Sequence, residues 1–146
     1  MNGWRVILLL ATLFPAYSWA IEYRSIAADR TVMYDAPSLR GKKLYVASRF
    51  YPVEVIVDLE SFAKVRDVAG DLAWVEKKNL SGQHMALVNV PLADVRKSPD
   101  PNAPLVFQAE RGVVLEVIEN AGNGWIKVRH ADGTQGYVQV SQVWGA

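Results

Sequence analysis

Cysteine is absent from this 146-residue chain, and histidine occurs only at His84 and His130. Without a thiol there is no disulfide to staple a small domain, no cysteine nucleophile and no N-terminal cysteine for lipid attachment. Neither histidine stands at a metal-site spacing from another ligand, and His130, beside Asp132-Gly133, reads as a solvated hairpin residue. An excess of one charge is also missing, with 16 Lys and Arg against 15 Asp and Glu. Nucleic-acid binding calls for clustered Lys and Arg, so a nucleic-acid partner is not expected, and general attraction to an anionic membrane is weak. Catalytic motifs are wanting too. Ser141 lies in no Gly-x-Ser-x-Gly elbow, and no helix or lysine follows Gly122-Asn123-Gly124 to make it a phosphate loop. Glu54 and Glu116 read as exposed strand alternates rather than an acid–base couple. The chain is not expected to be an enzyme, or to hold a metal or a cofactor.

The one long apolar run stands at the start. Residues 1–20, MNGWRVILLLATLFPAYSWA, carry Arg5, an apolar stretch from Val6 to Tyr17 interrupted by Pro15, and then Ser18-Trp19-Ala20. A short basic start, an apolar stretch of about 7–15 residues and small residues before the cut describe a secretory signal peptide cleaved after Ala20. A membrane span needs about 20 apolar residues, and no later segment supplies them. The mature chain is expected to be periplasmic or secreted, with no transmembrane segment.

The remainder of the chain says the same thing twice. Setting Pro37–Ile56 on Pro99–Ile118, a shift of 62, aligns Pro37/Pro99, Ala47/Ala109, Arg49/Arg111, Glu54/Glu116, Val55/Val117 and Ile56/Ile118. With one inserted residue, Phe62–Gly82 falls on Trp125–Gly145, aligning Lys64/Lys127, Val65/Val128, Arg66/Arg129, Gly70/Gly133, Val75/Val138 and Gly82/Gly145. Twelve identities in 41 positions exceed the roughly two or three that ordinary compositions give by chance. The chain therefore divides into a signal peptide (1–20), a first unit (21–84) and a second unit (85–146). Units of about 60 residues lie near the lower size limit for a domain without disulfides, so the two are expected to pack side by side.

Each unit reads as strands. Val113–Ile118 is rich in β-branched residues and bounded by Arg111-Gly112 and the Asn120–Gly124 turn residues. Trp125–Arg129 alternates, with Ile126 and Val128 on one face and Trp125, Lys127 and Arg129 on the other. Asp132-Gly133 suits a two-residue type I′ hairpin, Gly136–Val140 returns as its partner strand, and Ser141-Gln142 turns into Val143-Trp144. The first unit repeats this with Pro52–Val57, Phe62–Arg66, a looser Val68–Asp71 turn and Leu72–Glu76. No sustained helical period occurs. Four or five short strands per unit predict an all-β chain of two small antiparallel barrels in tandem, closure protecting their edges.

The run Gly124-Trp125-Ile126-Lys127-Val128, followed by a glycine turn and Gly136-Tyr137-Val138, resembles the core of bacterial SH3 (SH3b) domains. The opening Ala93-Asp94-Val95-Arg96-Lys97-Ser98-Pro99 is similar to the start of the same domains. The first unit shares the pattern through the repeat and departs at Met33-Tyr34 for Val95-Arg96, Phe50 for Gly112, Phe62 for Trp125 and Ala73 for Gly136. The resemblance implies an SH3-like barrel, a role at the cell envelope and a shallow aromatic groove for extended chains. The NlpC/P60-type hydrolases that such modules accompany need a cysteine this chain lacks.

The candidate ligand-binding residues are Trp125, Tyr137, Lys127 and Arg129, with Phe62 and Trp74 in the first unit. Trp125 corresponds to the family's groove-facing ring, and Tyr137 is within cross-strand reach of it. Both rings otherwise cap the barrel against the neighbouring unit. Lys127 and Arg129 would add two cations beside the ring, able to take carboxylates of a peptide stem or a protein partner. Trp144 reads as a residue closing the barrel. Two binding roles are open: recognition of peptidoglycan or its peptide stems, or an adaptor for an extended or proline-rich segment of another exported protein.

Overall fold

The computed structural model describes residues 20–146, so the expected signal peptide lies outside the described residues but for Ala20. The first unit contains β1 (Glu22–Ile26), β2 (Thr31–Tyr34), β3 (Lys43–Ala47), β4 (Pro52–Asp58), β5 (Phe62–Arg66), β6 (Leu72–Glu76) and β7 (Leu80–Ser81). The second contains β8 (Met85–Val88), β9 (Leu92–Arg96), β10 (Leu105–Glu110), β11 (Val114–Gly122), β12 (Trp125–Arg129), β13 (Gln135–Gln139) and β14 (Val143–Trp144). Single 3-10 turns, Lys77–Asn79 and Val140–Gln142, lead into β7 and β14.

The fold is all-β, in two antiparallel seven-stranded sheets of matching order, β3-β2-β6-β5-β4-β1-β7 and β10-β9-β13-β12-β11-β8-β14. The strand count exceeds the four or five expected per unit, because β1, β3, β8 and β10 carry no clean alternation. Met85–Val88 is buried at all four positions and Lys43–Val46 is exposed at all four. Closure is partial, since β3 and β10 are the last strands at one edge of each sheet.

Two turns differ from expectation. At Asp132-Gly133 only the glycine has positive φ (91°), and His130 and Thr134 close the loop by a 2.8 Å backbone bond. The loop is thus Ala131-Asp132-Gly133, a three-residue hairpin ending in a left-handed residue, rather than a type I′ turn. The first unit uses the same device, with Gly70 at φ 89° and an Asp67–Asp71 bond of 3.0 Å, so its turn is no looser. The type I′ geometry belongs instead to Asn123-Gly124, where φ is 53° and 80° and Gly122 pairs with Trp125.

The two cores occupy equivalent positions with different residues. Met33 and Ala63 in the first correspond to Val95 and Ile126 in the second, so the larger side chain of each pair sits on a different strand in the two cores. The same exchange explains Ala73 against Gly136. A Cβ at Gly136 would lie 2.5 Å from Val95 Cγ1 and 2.9 Å from the Arg96 carbonyl oxygen. The unbranched Met33 has no such methyl on its Cβ, and Ala73 sits 2% exposed in the first core.

The units do pack together. Tyr23 meets Trp144 edge to face, centroids 5.3 Å apart. Gly145, at φ 96°, is wedged so that an added Cβ would lie 3.0 Å from both Pro52 Cβ and the Met85 carbonyl oxygen. His84 Nε2 donates to the Gly145 carbonyl at 2.8 Å, joining the end of the first unit to the end of the second.

Candidate functional site

In each unit the middle hairpin lays a lysine across an aromatic ring. Lys64 pairs with Trp74 and Lys127 with Tyr137 in register, on strands whose alternation turns both side chains away from the core. Lys64 Nζ stands 6.0 Å from the Trp74 ring centroid, and Lys127 Nζ stands 5.9 Å from that of Tyr137. At this range a ring quadrupole attracts the ammonium, and the half-buried rings leave part of each face to solvent. The cation and ring expected to lie together do so, but the ring beside Lys127 is Tyr137.

Trp125 is on the expected strand face and yet only 7% exposed, so its ring packs and offers little groove surface. Alternation assigns a face; it does not say what covers that face. Phe62, its counterpart, is half-buried and meets the 6% exposed Tyr34 edge to face at 6.3 Å. Tyr34 is in turn the register partner of Trp74 on the neighbouring strand. At Tyr34's position the second unit has Arg96, paired with Tyr137 and bonded to the Ala103 carbonyl (2.8 Å) and Asp94 (3.2 Å).

Arg129, expected as a ligand cation, already has a carboxylate partner. Its Nε and Nη2 donate to Glu116 Oε2 at 3.0 and 2.7 Å across the strand pair. Arg66 makes the same pairing with Glu54 at 3.3 Å. The glutamates are therefore partly buried ion partners rather than plain exposed alternates, and the repeated Glu and Arg identities mark a structural cross-strand pair.

His130 also has more company than a solvated hairpin residue. Its Nδ1 lies 3.1 Å from Asp132 Oδ1, and its ring edge meets Phe107 at 5.7 Å beside a cleft of about 510 Å3. The Thr134 N–H, donating to Asp132 at 2.8 Å, holds that carboxyl below its ordinary range. Among the described residues no group of three metal-ligating side chains forms. In the first unit, burial and the neighbouring Asp67 push the Tyr45 phenol up to about 12, and burial raises Tyr23 and Tyr51. Phe107 gives no signal in the sequence, where it is one more apolar residue in the run Leu105-Val106-Phe107.

A family model described as a bacterial SH3 domain matches residues 27–82 and again 89–145. No curated protein matches the chain at significance. Among solved structures, the chain is similar to NlpC1 from Trichomonas vaginalis, with 15% identity, a TM-score of 0.36, and coverage of 92% of this chain and 50% of that one. It is similar also to NlpC2 from the same organism, with 14% identity, a TM-score of 0.37, and coverage of 86% and 48%. The chain thus spans about half the length of these structures. No helix among the described residues is long and apolar enough to cross a membrane.

Proposed function

The chain belongs to the bacterial SH3 domain family, and from that premise we propose that it is an exported, non-catalytic binding protein of the cell envelope that recognises peptidoglycan through its peptide stems. The observation that carries the reading is the duplicated lysine–ring pair, Lys64 on Trp74 and Lys127 on Tyr137. Each pair combines an ammonium for a stem carboxylate with a flat apolar face for the stem backbone and methyl groups. Two such platforms on one chain raise retention on a polymeric wall beyond either alone. The basic start, apolar run and Ser18-Trp19-Ala20 of the N-terminal segment support delivery to that compartment.

Sedimentation with purified sacculi tests the reading. The mature protein is expected in the pellet, and a Lys64→Ala/Lys127→Ala variant that remains folded is expected largely in the supernatant. Wild-type protein left in solution would remove the wall as the ligand.

A further inference from the structure

Phe50 is held at φ 71° in the turn where the second unit has Gly112 at φ 91°. The turns are otherwise alike, the Phe50 N–H donating to the Ile26 carbonyl at 2.8 Å and the Gly112 N–H to the Val88 carbonyl at 2.9 Å. Glycine adopts this backbone freely and a bulky side chain does not. Packing does not account for the aromatic residue, which is 38% exposed and belongs to neither core cluster. Its ring instead lines a cleft of about 300 Å3, walled on the second unit's side by Met85, Val114, Ala131 and the Glu116–Arg129 pair.

The charge beside this cleft is uneven. The Arg49 guanidinium lies over the Phe50 ring, 4.8 Å from its centroid, and makes none of the salt bridges found among the described residues. Its repeat counterpart, Arg111, is engaged by the Asn89 carbonyl at 2.7 Å. Glu116 is already occupied by Arg129. Gln83 and His130 also line the cleft, and the Asp29 carboxylate meets the Arg49 backbone N–H and not its guanidinium in any salt bridge. A largely apolar cleft with a guanidinium stacked on its ring suits an apolar group that carries an anion.

We propose that this inter-unit cleft binds the C-terminal end of a protein partner. The terminal apolar side chain would lie among Phe50, Met85 and Val114, with the terminal carboxylate on Arg49. Size decides the occupant. A phenylalanine side chain occupies far more of such a space than does the terminal alanine of a wall stem. The inference goes beyond the wall-binding reading and does not depend on it, because it uses neither lysine–ring pair. The strained backbone at Phe50 is then explained by the ligand the ring meets.

Fluorescence anisotropy with three probes tests this. They are a labelled Gly-Ser-Gly-Ser-Phe peptide with a free carboxylate, the same peptide amidated, and a wall stem peptide ending in D-alanine. The free-carboxylate peptide is expected to bind saturably, and the amide about tenfold more weakly. Arg49→Gln is expected to erase the difference between the two. Phe50→Gly is expected to lose about tenfold in affinity while melting no lower than wild type, since it places glycine in a turn that favours it. No saturable binding by wild type, equal affinity for carboxylate and amide, or full binding by Phe50→Gly would overturn the proposal. Phe50-dependent binding of the stem peptide in preference to the phenylalanine-ended one would overturn the choice of occupant.

Discussion

Where the first unit has Tyr34 the second has Arg96, and where the first has Phe50 the second has Gly112. Lys77, which ion-pairs with Asp58 at 2.6 Å, corresponds to Val140, which is 41% exposed, although both backbones make the same 2.9 Å bond to the preceding hairpin. Of these residues only Tyr34 is buried, and the others reach the surface. Inside the barrels the exchanges run in opposite senses, Met33 for Val95 and Ala63 for Ile126. One scaffold thus carries two surfaces that differ in charge and aromatic content, while the lysine–ring pair is kept in both.

The largest expected difference between the units lies at the hairpin ring. Trp125→Ala removes a ring that is 7% exposed and is expected to cost about 3–5 kcal/mol, enough to unfold the second unit selectively. Phe62→Ala, at a half-buried counterpart, is expected to cost about 1–2 kcal/mol. Urea denaturation followed separately in the two units checks this, and equal costs would contradict the packing difference. Next in size is Gly136→Ala, which drives a Cβ into Val95 and is expected to cost about 1–3 kcal/mol. Adding Val95→Met, the first unit's solution, should recover part of that loss. No recovery would mean that the Arg96 carbonyl, and not the valine methyl, sets the limit.

Much of this architecture was legible in the sequence. Trp125–Arg129 falls where strict alternation puts it, and Phe62–Arg66 and Leu72–Glu76 where the repeat puts them. The all-β class and the repeat come from residues alone. The turns were harder, because Asn-Gly and Asp-Gly carry similar signals and only closure of the loop separates a two-residue hairpin from a three-residue one. At the candidate site, the face of Lys127 and Tyr137 was readable. The burial of Trp125 and the capture of Arg129 by Glu116 were not, since both depend on what neighbouring strands bring across.

A smaller effect separates the units by pH. A phenol whose pKa is raised on folding contributes stability that is complete below its ordinary value of 10 and is lost as pH climbs through its folded value. Tyr45, pushed up to about 12, and the raised Tyr23 and Tyr51 all lie in the first unit. The first unit is therefore expected to loosen first between pH 10 and about 12, and Tyr45→Phe to flatten that decline. Alkaline melts that showed the second unit yielding first would contradict this.

The central claim is that the lysine–ring pair kept in both units is the ligand surface. Its most direct test is a titration of soluble peptidoglycan stem fragments into wild type, Trp74→Ala, Tyr137→Ala and the double variant, with circular dichroism confirming the fold of each. The account predicts a partial loss for either single change and a loss of about tenfold or more for the pair. A folded double variant that binds as wild type does would contradict it.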